Sequence, residues 1–248
     1  MGGRDRFTTI AHSGRTILGP ISGQRLDAVV ERCDLAAGDH VLEVGCGKGD
    51  LLVRLLRRWT GATAEGFDRN PWFLADARTA ALAAGEGVAR RVSFIETDLA
   101  GALIADREAA ITIAVGATGV YEGDQAATVR ALAAATRPGG TVLFGDGLWI
   151  REPLASGLTA FGMAHDQLVE GVDGFAALGI AAGLDVGEVE VVGDAEWDAF
   201  EADHAGAIQA WAAAHPDDPE REGFVARSAA MAATYREWRR DAFGFAIG

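Results

Sequence analysis

Glycines and an isolated acid cluster where an apolar run gives way to a leucine-rich one. In the stretch HVLEVGCGKGDLLVRLLRRW, His40 to Trp59, Glu43 is followed by Gly45, Gly47 and Gly49. A glycine turn between a strand and a helix lets the backbone approach a ligand and aims a helix N-terminus at it, the arrangement of phosphate- and nucleoside-binding loops. An NTPase phosphate loop requires Gly-Lys followed by Ser or Thr, and here Lys48 is followed by Gly49, so that reading fails. A dinucleotide fingerprint places its third glycine three residues after the second. Gly49 follows Gly47 by two, which weakens this reading too. Glu43 itself, inside an apolar strand, is costly unless an ammonium or a backbone amide satisfies it. A second acid, Asp146, ends a later apolar run in FGDGLW. Buried there, it would bind an amine or act as a base, although the glycines on both sides also suit an ordinary turn.

These residues need elements to hold them, and the chain supplies strands and helices in alternation, the pattern of a parallel sheet covered on both faces. Strands are predicted at residues 40–45, 63–68, 92–96, 110–116, 140–146 and 186–192. Between them, residues 50–59 place Leu51, Leu52, Leu55 and Leu56 on one helical face. Asn70 caps a helix whose first position is Pro71. Further helices are expected at 124–136 and 173–183, with one at about 22–34 before the first strand. Two amphipathic helices follow, one striped with Trp197, Phe200, Ile208 and Trp211, the other with Phe224, Met231, Tyr235 and Trp238. AFGFAIG then reads as a seventh strand. The fold class expected is α/β: a doubly wound, seven-stranded, mostly parallel sheet with an antiparallel last strand and a helical insertion before it. A single domain is expected over 1–248. Residues 1–37 would form an N-terminal lid and helix, 38–147 a binding core, and 148–172 and 195–240 substrate or cap insertions.

Composition narrows the partners. The 248 residues carry 36 acidic and 22 basic side chains, a net charge of −14, which repels phosphate backbones and anionic membranes. Lys48 is the sole lysine, so no lysine-rich patch overrides that average. Cys33 and Cys46 have no paired spacing of zinc or redox type and fit a reducing compartment. The longest run free of Asp, Glu, Lys and Arg is 13 residues, too short to cross a bilayer. A cytoplasmic protein is expected, with no nucleic-acid or membrane partner and with a homodimer possible. No histidine pair has metal-ligand spacing on one helix face, which disfavours a metal-dependent mechanism.

Four segments together resemble one family. VLEVGCGKG is similar to motif I of class I S-adenosylmethionine-dependent methyltransferases, EGFDRN to the end of their second strand, FIETDLA to the turn after the third, and RPGGTVLFGDG to the turn and fifth strand. The match covers about residues 38–147, and AHSGRTILGPISGQRLD is similar to a segment before the first helix in bacterial small-molecule members. The resemblance implies a Rossmann-like fold with S-adenosylmethionine as cofactor, leaving as S-adenosylhomocysteine. It implies that Asp68, 23 residues beyond Gly45, binds the ribose hydroxyls and that Asp98 meets the adenine amine. Glu43, Gly45, Cys46 and Gly47 would surround the amino-acid part, Arg69, Thr97 and Leu99 would flank the two acids, and Gly116 and Ala117 would border the cofactor. Tyr121 falls where the family lines the methyl-transfer site. His12 and His165 fall in segments that form lids or acceptor walls, so that Tyr121, His12, Asp146 and His165 are the candidates to contact or deprotonate an acceptor. Trp149 would either stack on a flat acceptor or pack in the core.

The chemistry implied is an in-line displacement on a sulfonium, with the protein supplying alignment, water exclusion and optionally a base. GATG after the fourth strand lacks the Asn/Asp-Pro-Pro-aromatic turn of amino-methylating nucleic-acid enzymes. A small molecule offering oxygen, nitrogen or activated carbon is the acceptor expected. Two other classes stay open at this point: an NAD(P)-dependent oxidoreductase, and a catalytically silent cofactor-binding sensor or partner protein.

Overall fold

The apolar runs assemble into one sheet with strand order β3-β2-β1-β4-β5-β7-β6. The computed structural model describes residues 3–98, 104–105, 107–161 and 163–248. The strands are β1 (His40–Val44), β2 (Thr63–Asp68), β3 (Val92–Glu96), β4 (Ala109–Val115), β5 (Thr136–Trp149), β6 (Glu190–Val191) and β7 (Phe243–Ile247). Strands β1 to β5 pair in parallel, while β7 runs antiparallel to both β5 and β6. The central strands are buried on both faces, which is why β4 reads AAITIAV with no polar alternation except Thr112. Thr112 places its hydroxyl on the Leu132 carbonyl.

Helices cover both faces, and side chains of alternate parity divide between two cores. Val41, Ile111 and Ile113 pack with α2 (Gly23–Arg32), α3 (Asp50–Arg58) and α4 (Pro71–Ala83). Leu42, Val44 and Ala114 pack on the other face with α6 (Gln125–Ala135) and α8 (Gly171–Ala181). The short α5 (Glu86–Ala89) precedes β3, and α7 (Ala155–Phe161) follows β5. Ser22 caps α2 and Asn70 caps α4, its side chain accepting from the amides of Trp72 and Phe73.

Besides the short helices α5 and α7, three elements differ from the sequence expectation. Strand β5 is longer at both ends, because Thr136 pairs with Ala109 ahead of a register shift and Trp149 pairs with Phe243 of β7. Strand β6 shrinks to two residues, because an edge strand has one neighbour and pairs only at Glu190 and Val191. A helix not read from the sequence, α1 (Gly3–Ala11), is held by tertiary contact rather than by its polar composition. Phe7 and Ala11 join Ile208 of α9 (Asp194–Ala214) and Phe224 of α10 (Arg221–Thr234) in one buried cluster. Arg6 pairs with Asp218 and Glu220 between those helices. A π-helical turn at Tyr235–Arg239 leads from α10 toward β7. No described helix is long and apolar enough to cross a membrane.

The order places β1 between β2 and β4, so successive connections leave β1 and β4 toward opposite faces of the sheet. In such sheets ligands bind at this switch, beyond the C-terminal ends of the strands.

Candidate active site

The turn after β1 is built on backbone that side chains resist. Gly45, Gly47 and Gly49 have φ of 70°, 51° and 70°, all left-handed. A Cβ on Gly45 would lie 2.3 Å from the Cβ of Ala117, and one on Gly47 would lie 2.5 Å from Leu18 Cδ1. The turn is pinned to the end of β2. Gly45 N and Cys46 N both donate to the Phe67 carbonyl, at 2.7 and 2.9 Å. Asp68 follows, and its carboxylate accepts from Gly47 N and from Asn70 N, each at 2.8 Å. Asp68 therefore faces the glycine turn. An ionised carboxylate has about four acceptor positions, which leaves room for a ligand's hydroxyls. Thr97 N donates to the Asp68 carbonyl at 3.0 Å, bringing the end of β3 alongside.

These strand ends open on a cleft of ≈ 920 Å³. Glu43, Gly45, Cys46, Gly47, Asp68 and Arg69 line it from β1 and β2. Thr97 and Asp98 line it from the β3 turn, and Gly116 and Ala117 from the end of β4. His12 lines it from the N-terminal segment. Of the residues expected around the cofactor, Leu99 lies outside the described residues.

Glu43 is the electrostatic anomaly of the cleft. It is buried, and its Oε2 has no hydrogen-bond partner. Burial pushes its pKa well above the ordinary carboxyl value, and the neighbouring acids Asp50 and Asp68 push the same way. Burial also raises Asp68, against the opposing pull of the amides of Asn70, Gly47 and Arg69. The same burial raises the Cys46 thiol well above its usual range, so Cys46 is a space-filling neighbour rather than a nucleophile.

A strap from the N-terminal segment lies along the cleft, and of its lining residues the sequence singled out only His12. Thr8, Thr16, Ile17 and Leu18 also face the cavity. Lys48 anchors the strap: its Nζ donates to the His12 carbonyl at 3.0 Å and pairs with Asp76 at 2.9 Å. Its being the sole lysine, in the middle of the glycine turn, was the available signal. On the far side Arg15 pairs with Asp203 of α9 at 2.9 Å. The His12 ring sits among Phe73, Phe200 and His204, with centroids 6.1, 6.0 and 5.3 Å away. Its Nδ1 is 2.9 Å from the Thr8 carbonyl, and the backbone of Leu18 bonds to the ring as well. Burial lowers the His12 pKa, leaving a neutral ring at pH 7.

Three acceptor-site candidates are placed elsewhere. Tyr121 ends a short 3-10 turn, Thr118–Tyr121, whose neighbours Gly119, Val120 and Glu122 line the cleft while Tyr121 does not. Its hydroxyl is buried without a partner. Asp146 also lies outside the lining, because Gln125 Nε2 and Thr118 claim its carboxylate; the Gln125 bond is 3.1 Å. Burial raises its pKa. His165 is beside Trp149, rings stacked at 6.1 Å, away from the cleft. Trp149 itself is core: it is 2% exposed, packs on Trp238 and Phe243, and donates Nε1–H to the His165 carbonyl.

Comparison with known proteins agrees with this arrangement. A family model described as a methyltransferase domain matches residues 41–140. Over 98% of its length the chain is 28% identical to the uncharacterized protein YjhP of Escherichia coli, covering 96% of that protein. It is 31% identical to the methyltransferase GfsG of Streptomyces halstedii, over 77% of this chain and 71% of that protein. Among solved structures, a SAM-dependent methyltransferase from Geobacter sulfurreducens in complex with S-adenosyl-L-homocysteine superposes with a TM-score of 0.87. That match has 29% identity and covers 98% and 96% of the two chains. The glycine turn, the acid facing it and the matched core together establish that the chain belongs to the class I S-adenosylmethionine-dependent methyltransferases.

Proposed function

We propose that this methyltransferase binds S-adenosylmethionine against the glycine turn and moves its methyl group to an oxygen, nitrogen or activated carbon of a small molecule. The observation that carries the reading is Glu43, a buried carboxylate oxygen without a partner on the wall of the cleft. A buried acid of this kind ionises only opposite a cation or donor, and the ammonium of the cofactor's amino-acid part is such a group. Asp68, held by the Gly47 and Asn70 amides, keeps acceptor capacity for the ribose hydroxyls. Asp98, with Thr97 beside it on the β3 turn, takes the adenine amine, and Arg69 closes the rim. Gly45, Cys46 and Gly47 leave room for the amino-acid part, and Gly116 and Ala117 border the reacting end.

When bound, the cofactor supplies an electrophilic methyl on a sulfonium whose positive charge is lost on transfer. The chain's own task is to orient the acceptor and keep water out, and the strap over the cleft serves both. In this reading His12 takes the proton where an acceptor must lose one, a role supported by its place on the cleft wall and its neutral ring. Tyr121, in the same short turn as Gly119 and Val120, and Asp146, held by Gln125 and Thr118, back the wall without lining it. A net charge of −14 supports a small acceptor over nucleic acid.

A thermal-shift panel tests the cofactor. At a hundredfold excess over the dissociation constant, S-adenosylmethionine and S-adenosylhomocysteine are expected to add about 2.7 kcal/mol, or roughly 5–10 °C. NAD and NADP should add nothing. Stabilisation by NAD alone would overturn the reading. Methyl transfer from labelled cofactor into a small-metabolite extract then separates an enzyme from a silent binder.

A further inference from the structure

Beyond Trp149 the chain leaves the sheet and returns at Glu170, which forms an isolated parallel bridge with Trp149. Three side chains meet at the base of this excursion. The candidate ligand atoms of Glu152, His165 and Glu170 all lie within 4.8 Å of one another. His165 Nε2 is 3.5 Å from a Glu152 oxygen and 3.8 Å from a Glu170 oxygen. Both distances exceed a hydrogen bond. The nitrogen is nonetheless shut off from solvent and has no hydrogen-bond partner.

The two histidine–carboxylate spacings, 3.5 and 3.8 Å, are those of ligands that share an ion after a small adjustment. Bonds of about 2.0–2.2 Å to a tetrahedral divalent ion hold neighbouring ligands about 3.4 Å apart. The imidazole is already fixed: its ring stacks on Trp149 at an interplanar angle of 17°, and its own carbonyl accepts from Trp149 Nε1 at 2.8 Å. The backbone leading into Glu170 is fixed as well, and its side chain is 73% exposed. The amide of its neighbour Val169 donates to Gln125 Oε1, and the Val169 carbonyl accepts from Trp149 N. Glu152, 81% exposed, completes the set from the solvent side. One imidazole nitrogen and two carboxylate oxygens, with no thiolate, suit Zn²⁺, Co²⁺ or Mn²⁺.

We propose that Glu152, His165 and Glu170 bind one divalent transition-metal ion that staples the base of the excursion. None of the three lines the cleft, so the ion is structural and takes no part in methyl transfer.

The test is calorimetric titration of the untagged full-length protein with Zn²⁺, and with Co²⁺ read by its visible absorption. One equivalent should bind and raise the melting temperature. His165→Ala should weaken binding by more than about 100-fold, beyond the cost of losing a group that only supports a ligand. Should His165→Ala fail to fold, Glu152→Gln, at an exposed position, should weaken binding and remove the Zn²⁺-dependent rise in melting temperature. No binding at millimolar Zn²⁺ would overturn the site, as would equal affinity in the variant and the parent protein.

Discussion

Two buried carboxylates sit at opposite ends of β1 and fare oppositely. Asp39, beside the first residue of the strand, accepts from the Arg137 guanidinium at 2.6 and 3.0 Å and from Ala36 N at 2.9 Å. Arg137 holds its carboxyl below the usual range. Glu43, near the other end, has an unpartnered oxygen and a pKa pushed well above that range. The N-terminal end of β1 has its charge paired, and its C-terminal end leaves one buried carboxylate oxygen unpartnered. Under the proposed function, that asymmetry separates a residue that holds the fold from one that holds the cofactor.

The comparison breaks most easily at the turn. Gly45→Ala puts a side chain on left-handed backbone and drives its Cβ into Ala117. The combined penalty should be about 2–5 kcal/mol, read by urea melts, with cofactor binding lost alongside. Unchanged stability would show that the turn tolerates what the geometry forbids. Next in size, Asp68→Ala should weaken S-adenosylhomocysteine binding by about 1–3 kcal/mol without unfolding the chain, as titration calorimetry would show. Equal affinity would mean that Asp68 does not meet the ribose.

At the other end of β1, Arg137→Ala should cost about 1–2 kcal/mol of stability, since the guanidinium is half exposed, and should leave cofactor affinity untouched. A change in affinity would erase the distinction between the two ends. The smallest effect concerns His204, which burial holds down at about 4. The unfolded chain, with its histidine near 6.5, binds the proton first. Stability from this group is thus complete above pH 6.5 and is lost as pH falls toward 4. His204→Phe should flatten that part of an acid-unfolding curve, and an unchanged curve would place the loss elsewhere.

The glycine turn and the acids proposed to hold the cofactor could be singled out because they are local: Glu43 sits near the end of β1 just before the turn to Gly49, Asp68 ends β2, and Asp98 follows β3. The acceptor half of the site could not, because its residues meet only through tertiary contacts. Helix α1 exists because Phe7 and Ala11 find Ile208 and Phe224 about two hundred residues on, and no periodicity announces that. Lys48 and Leu18 become cleft residues only when the strap crosses the turn. His165 and Asp146 have the right chemistry and the wrong neighbours: Trp149 and Glu170 engage the first, Gln125 and Thr118 the second. His204 is buried against His12 and Phe7, contacts that no sequence pattern marks.

Glu43→Gln offers the sharpest single measurement: thermal stability without ligand at pH 8, and S-adenosylhomocysteine affinity in the same buffer. A carboxyl whose folded pKa lies above its unfolded value costs stability as pH rises beyond the unfolded value, and glutamine carries no such cost. The account predicts that the variant melts higher when empty and binds the cofactor product more weakly. A variant that melts lower and binds equally well would show that Glu43 serves the fold and that no cation is awaited there.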